Sequence, residues 1–329
     1  MTGAPDRRAI AVITINWNGW RHTLGCLAAL RASVGAEWHL FLVDNASDDD
    51  SRDHLRGLGD DVTLIEAPIN GGWTGGNNIG LRHALMADYQ HIFLLNNDAF
   101  VAPDTLVRLR DAADSFPDEA RRPILGPVHK GEATHDYDFT AAMLDAKTGI
   151  PAWIPAEALG TRLDQPLIET AYIGGAALFA GRHHFETIGL LDDRFYLNFD
   201  DTDWCRRAVA AGFPLLMVRD AAIRHIGSAS IGGRHSVLQT YFLTRNRLLF
   251  ARKHCSRIER LRVLRRCLWQ ARDLGGGGAG WLPRLLRAPD GPPAAFRRGL
   301  LDYARRRFGD CPPEIRLWNS RNPDPAATP

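Results

Sequence analysis

Four apolar runs, each closing on polar residues and separated by helix-spaced segments, constrain this chain more than anything else in it. Residues 9–15 (AIAVITI), 38–43 (WHLFLV), 62–66 and 92–95 read as strands. Runs that are apolar throughout suit strands buried on both faces. Between them, residues 20–32 place Leu24, Leu27 and Leu30 at helical spacing. Residues 51–58 predict a short helix, with Ser47 or Asp48 to Asp50 expected as its cap. Residues 77–87 predict a helix after a glycine-rich loop. The resulting β-α-β-α-β-α-β order implies an α/β fold with a doubly wound, mainly parallel sheet.

Further along, a helix is expected over 102–113, with Pro103 near its first turn, and a strand over 124–128. Residues 131–170, interrupted by Pro151, Pro155 and Pro166, read as irregular. An apolar stretch over 172–180 holds a Gly174-Gly175 pair. A helix over 203–211 is closed by Gly212, and a strand over 215–218 leads to Arg224-His225. After Ser236 the pattern turns helical and basic. In 257–272, Ile258, Leu261, Leu264, Leu268 and Ala271 share a face with arginines around it. Gly275 to Gly278 breaks the pattern, and 281–288 and 296–308 are short amphipathic segments.

The chain has 329 residues, 45% of them hydrophobic, enough for one large domain with an appendage. No run of about 18 apolar residues predicts a membrane span. The short polar stretch before the first strand reads as no signal peptide. Five scattered cysteines without a CxxC pair suggest a reducing cytosol. The net charge of +2 hides an asymmetry. Residues 245–307 carry 17 Lys+Arg against 4 Asp+Glu, a local +13, which leaves −11 elsewhere. Such a block suits an anionic membrane surface or a lipid-linked diphosphate better than nucleic acid. Arg245-Asn246 and the basic helices could grip that anion, or the arginines could simply solvate one face.

Four strand ends carry the chemistry: Asn16-Trp17-Asn18, Asp44-Asn45, Asn96-Asn97-Asp98 and Arg224-His225. One such end alone is an ordinary polar turn. In a parallel sheet the carboxyl ends share an edge, and four of them there suggest a site. Gly71 to Asn78 (GGWTGGNN) opens a helix, where backbone can approach an anion. A dinucleotide fingerprint would follow the first strand, and this segment precedes the fourth.

The series VITINWNG, LVDNASDDDS, NGGWTGGNNIG, FLLNNDAF, IGGAALFAG, FYLNFDDTDWCRRAVAAGF and HIGSAS resembles the family 2 glycosyltransferases, in particular their rhamnosyltransferase-like branch. The resemblance covers roughly residues 9–254. It implies a GT-A fold, a nucleotide-sugar donor, a divalent metal and inversion at the anomeric carbon. It further implies that Asp44 reads the base or ribose, with Ile15, Asn16 and Trp17 along the base. Trp17 is as readily a core residue, and Asp44 a helix cap. Gly72, Asn77 and Asn97 fall on the donor side; where relatives often have Arg, this chain has Asn77. Asn96-Asn97-Asp98 stands where the family carries DxD, so Mg2+ or Mn2+ would rest on Asp98, with His225 and the donor diphosphate. Asp201 resembles the general base that deprotonates the acceptor hydroxyl, with Asp200 as its support or its alternative. Asp203, in the first helical turn, reads as structural.

The expected organisation is a GT-A domain over 1–240, with a nucleotide-sugar half near 9–100 and an acceptor half near 101–240. A basic helical extension over 241–318 and a disordered tail over 319–329 follow. The expected activity is transfer of a sugar, dTDP-rhamnose favoured and UDP- or GDP-sugars as alternatives, to a glycan, lipid-linked or natural-product hydroxyl. The expected place is the cytoplasm, with peripheral contact to the inner face of the membrane. A catalytically weak sugar-nucleotide-binding module and a nucleotidyltransferase are the competing readings. The second would want a basic glycine-rich loop after the first strand, and VITINWNG has none. A glycoside hydrolase also uses two carboxylates, but not beside nucleotide-binding strand ends. No oligomeric state is specified by the sequence.

Overall fold

The computed structural model describes residues 9–130, 137–139, 141–145, 147–154, 156–226 and 236–322. The end of HIGSAS and residues 323–329 of the expected tail lie outside the described residues. Strands β1 (Ile10–Asn16), β2 (Trp38–Asp44), β3 (Val62–Glu66) and β4 (His91–Leu95) alternate with α1 (Trp20–Arg31), α2 (Ser51–Leu55) and α3 (Gly72–Met86). These four strands pair in parallel in the order β4-β1-β2-β3. Successive residues of β1 point to opposite faces, and both faces are covered. Ala11 and Ile13 pack towards α3, and Ile10 and Val12 towards α1 and α2. That double burial is the reason for the uninterrupted apolar run.

The second half of the sheet is mixed. After β5 (Ala99–Val101), α4 (Thr105–Asp114) and β6 (Ile124–Lys130), the chain forms short pieces. They are β7 (Tyr137–Phe139), β8 (Ala141–Leu144), β9 (Pro151–Ile154), α5 (Ala156–Leu159) and β10 (Leu167–Glu169). β11 (Ala177–Gly181) runs antiparallel between β4 and β6. After α6 (Arg182–Ile188) and α7 (Asp200–Ala210), β12 (Leu215–His225) lies parallel to β6 and antiparallel to β5.

Several expectations need correction. The stretch 131–170 is not irregular throughout: Pro151 opens β9 and Pro166 immediately precedes β10, so neither interrupts a strand. The glycine-rich segment is not a loop: α3 already starts at Gly72. Gly76 and Gly80 serve packing. A Cβ on Gly76 would come within 2.9 Å of Ile15, and one on Gly80 within 2.4 Å of Ile13. At α2 the cap comes from Asp49, whose Oδ1 accepts from the Ser51 N–H at 3.0 Å, while the N-cap residue Asp50 makes no side-chain cap bond. The Asp50 carboxylate instead accepts from Trp20 Nε1 at 2.7 Å.

The chain divides into two compact units. One comprises residues 1–143, 151–192 and 201–227 and holds the sheet. The other comprises 144–150, 193–200 and 228–329, so it takes two segments from the middle of the chain rather than beginning at one cut near 240. It is built on α8 (Val237–His254), α9 (Arg257–Leu274), α10 (Trp281–Arg287), α11 (Gly291–Ala304) and α12 (Pro313–Arg321). Helix α12 takes up residues 319–321, which the sequence placed in a disordered tail.

Within the helical unit, Arg245 and Asn246 are fully buried and unavailable to an external anion. Tyr196, Asn198 and Phe199 adopt φ of 65°, 65° and 67°. Left-handed backbone costs roughly 1–2 kcal/mol at a residue with a side chain. Donors from α8 hold that turn. Asn246 Nδ2 donates to the carbonyls of Phe195, Leu197 and Asn198 at 2.7, 2.7 and 3.1 Å. Arg245 donates to Gly309 and Phe195 carbonyls at 2.7 and 3.2 Å and to Tyr241 Oη at 3.2 Å. The charge is buried because oxygens surround it.

Candidate active site

Parallel pairing sets the ends of β1, β2 and β4 side by side, with Asn16 opposite Asp44. Strand β12 brings His225 to this edge, since it pairs with β5 so that His225 faces Ala99. The residue before Ala99 therefore meets it: His225 Nε2 lies 3.1 Å from Asp98 Oδ1. Burial opposes the charge on Asp98. The His225 hydrogen bond and charge, the backbone N–H and the nearby His22 outweigh it and hold the carboxyl below its ordinary value. His129 meets the His225 ring edge-on, centroids 5.9 Å apart. Burial, with His225 adding to it, pushes His129 down to about 3, so it stays neutral there.

The second acidic centre opens α7. Asp201 Oδ2 accepts from Tyr172 Oη at 2.6 Å and from the Gly175 N–H at 2.8 Å. Its Oδ1 accepts from the N–H and Oγ1 of Thr202 at 2.6 and 3.1 Å. Four donors fix the orientation of the carboxylate. Asp200 is buried. Asp203, also buried, pairs with Arg207 at 2.9 Å, and Arg207 donates onward to the carbonyls of Ile188 and Leu190.

Trp73 joins the two centres. Its Nε1 donates to Asn96 Oδ1 at 2.8 Å, and its ring lies where a Cβ on Gly175 would come within 2.7 Å. That Cβ would also sit 3.1 Å from Asp201 Oδ2. Only glycine lets the indole and the carboxylate approach the same backbone. Contacts therefore run from the end of β4 through Trp73 and Gly175 to Asp201. Trp73, Tyr172 and Gly175 were not among the candidates. The GGWTGG and IGG motifs stand out in the sequence, but the glycines of the first suggested a phosphate loop, those of the second suggested no role, and Tyr172 carries no pattern of its own.

The nucleotide-side candidates lie deeper than expected. Asp44 is fully buried, and all its acceptor positions face internal donors. Asn16 Nδ2 and Ser47 Oγ reach Oδ1 at 3.0 and 2.5 Å, and Ser47 N–H and Arg52 Nε reach Oδ2 at 3.2 Å. Burial raises its pKa, and these bonds together more than reverse that. Asn16, buried as well, also accepts from Thr23 Oγ1 at 2.8 Å. The Gly72 N–H is taken by Asn70 Oδ1 at 2.8 Å, and Asn77 Nδ2 turns back to the Trp73 carbonyl at 2.9 Å. These two donors of the segment therefore bond close to home, while the Gly71 N–H goes to Asn45 Oδ1 at 3.0 Å. Ile15, Trp17 and Asn97 remain half-buried at the edge, with Asn97 Nδ2 3.1 Å from Thr23 Oγ1.

Among the described residues, no cluster of three or more His, Cys, Asp or Glu forms a complete metal site. Asp98 and His225 offer one ionised oxygen ligand and one imidazole nitrogen. That set fits Mn2+ or Mg2+ when phosphate oxygens supply the remaining positions.

Residues 11–120 match the family model described as glycosyl transferase family 2. This segment is a family 2 glycosyltransferase domain. The chain is similar to the dTDP-rhamnosyl transferase RfbF of Shigella flexneri, 23% identical over 66% of this chain and 71% of that one. It is also similar to the low-salt glycan biosynthesis hexosyltransferase Agl10 of Haloferax volcanii, 23% identical over 51% of this chain and about half, 52%, of the other. Its fold is of the GT-A type. It superposes on S. aureus TarS in complex with UDP-GlcNAc with a TM-score of 0.55 and 12% identity, covering 90% of this chain and 81% of TarS. A structure of GalNAc-T7 with UDP, GalNAc and Mn2+ gives a TM-score of 0.56 at 13% identity, over 80% of this chain and 57% of that one. No described helix of the chain is long and apolar enough to cross a membrane.

Proposed function

We propose that this chain is an inverting glycosyltransferase that moves a sugar from a nucleotide-diphosphate donor to a hydroxyl of a glycan, lipid-linked or natural-product acceptor. The observation that carries the reading is the run of contacts from Asn96 through Trp73 and Gly175 to Asp201. It places an acidic helix start beside the strand end that holds Asp98. Similarity to the Shigella protein favours dTDP-rhamnose as donor, with UDP- and GDP-sugars as the alternatives to test.

In this reading Asp201 accepts the proton of the acceptor hydroxyl as its oxygen attacks the anomeric carbon. The nucleoside diphosphate departs from the opposite face, and the configuration inverts. Tyr172 and Gly175 hold Asp201 Oδ2 in place during attack, and Asp200 is the alternative base. Asp98 and His225 would hold a divalent ion, which when bound neutralises charge on the departing diphosphate. Asn97, Trp17 and Ile15 border the donor side, with Asp44, Asn16, Gly72 and Asn77 behind them ordering the strand ends and α3. The basic helices support peripheral contact with an anionic membrane as a further partner.

Asp201→Asn tests the assignment. A positioned general base is worth about 10²–10⁴-fold. Transfer should fall by that factor, while calorimetry shows unchanged donor affinity. Unchanged transfer would remove Asp201 as the base, and the same assay on Asp200→Asn would then decide. If dTDP-, UDP- and GDP-sugars with Mn2+ all fail to raise the melting temperature, the transferase reading falls.

A further inference from the structure

Helix α9 buries the wrong residues for a helix that ends its life in water. Against α8, α10 and α11 it packs Val263, Cys267 and Ala271, its smaller apolar side chains. Its larger ones face outward: Ile258, Leu261, Leu264, Leu268 and Trp269 are 63, 67, 47, 64 and 53% exposed. At 100° per residue these five fall on one continuous face. Five exposed arginines, Arg257, Arg262, Arg265, Arg266 and Arg272, are interleaved with them or border them, and Arg272 lies over the Trp269 ring at 5.8 Å. The acids of α9 do not offset this charge. Glu259 is turned to the Ser256 N–H in the helix cap, and Asp273 stands at the far end. Helix α10, packed on α9, adds exposed Leu282 and Leu286.

We infer that this face of α9 is a docking surface for an anionic lipid bilayer, lying in the headgroup plane with its leucines and Trp269 in the acyl boundary. A polar face rich in arginine with leucine and tryptophan between is the pattern of a helix that lies on a membrane. The arginines meet lipid phosphates, to which guanidinium binds in a fork. Charge decides against a second copy of the same face, which would set five arginines against five. The helix is about 27 Å long at 1.5 Å per residue, so it can lie along the surface without crossing it. The inference deepens the membrane-contact part of the proposed function and rests on it only there. Binding is measured without donor, so loss of binding and loss of transfer are separate outcomes.

Flotation of the full chain with phosphatidylglycerol-containing and with pure phosphatidylcholine vesicles, in moderate salt, tests the surface. The chain should float with the anionic vesicles and stay behind with the neutral ones. Leu261→Gln with Leu268→Gln should lower the apparent affinity at least about tenfold. Arg265→Gln with Arg272→Gln should lower it about tenfold, and added salt should mimic the arginine variant. All four positions are exposed, so circular dichroism and the melting temperature should match the parent. Absence of flotation, equal binding to neutral vesicles, or binding unaffected by both double variants would overturn the inference. So would light scattering showing a dimer of the parent that the leucine variant dissociates, which would assign the face to a second copy.

Discussion

Asp44 and Asp98 stand at the carboxyl ends of the two strands that flank β1, yet they are used differently. Asp44 is sealed: four donors occupy its two oxygens, and Asn16 and Ser47 close over it. Asp98 meets His225 and its own backbone N–H, in a pair whose imidazole is partly exposed. Both are held ionised against the cost of burial. Among the described residues, the difference lies in spare acceptor capacity. A fully buried carboxylate with every lone pair taken orders the fold, whereas one with room left can take a ligand; Asp201 also accepts four donors but, unlike Asp44, is partly exposed. A carboxylate at a strand end is therefore not by itself a ligand, and its partners decide its role.

Asp98→Asn should give the largest effect that tests this contrast. It removes the ionised oxygen while keeping the shape, so transfer should fall about 10²–10³-fold, on the scale of losing one electrostatic stabiliser. The melting temperature should hold, and Mn2+ should no longer raise activity in kinetic assays. A variant that loses stability but keeps transfer would place Asp98 with Asp44.

Asp44→Asn should show the opposite signature. It leaves buried donors on Ser47 and Arg52 poorly paired, at about 1–3 kcal/mol, read as a lower urea midpoint at unchanged slope. Donor affinity in the surviving fold should stay close to the parent's. Calorimetry showing a large loss of nucleotide affinity without loss of stability would break the comparison, because Asp44 would then read the base directly.

Acid gives the smallest effect. Because the folded pKa of Asp44 is depressed, its contribution to stability is complete above the unfolded carboxylate value near about 4. It is lost as pH falls through the lower folded value. The stability gap between parent and Asp44→Asn should therefore narrow by under about 1 kcal/mol between pH 4 and pH 3. A gap constant across this range would mean that Asp44 is not ionised in the fold.

The nucleotide half of the fold was legible because its signal is local. Double burial makes β1, β2 and β4 apolar runs, and their parallel pairing follows from the helices between them. The short strands between β6 and β11 were not legible. They are three or four residues long, too short to show a period; among the described residues only β10 has a distant partner, β12, and three prolines mask the pattern. Asp98, His225 and Asp201 could be named from strand ends and the acidic helix start. Their surroundings could not: Trp73 reaches Asn96 and Gly175 only through the α3 position that Gly76 and Gly80 permit. Tyr172 donates to a residue 29 positions away.

Arg245 shows the same limit in the helical unit. In sequence it opens a basic block, and an anion is its natural partner. In the structure its guanidinium meets carbonyls turned inward by the left-handed Tyr196, Asn198 and Phe199. On α9, by contrast, apolar spacing and interleaved arginines are both visible in the sequence, but which face is buried is not.

The sequence by itself determined the α/β order, the strand ends that carry carboxylates and amides, and the concentration of positive charge after residue 244. Periodicity and composition need no partner to be read. Tertiary structure alone decided which carboxylate is sealed and which keeps room for a ligand, which arginine is buried, and which stripe of α9 faces out. Each of these depends on donors or packing surfaces supplied from elsewhere in the chain, and local pattern carries no record of them.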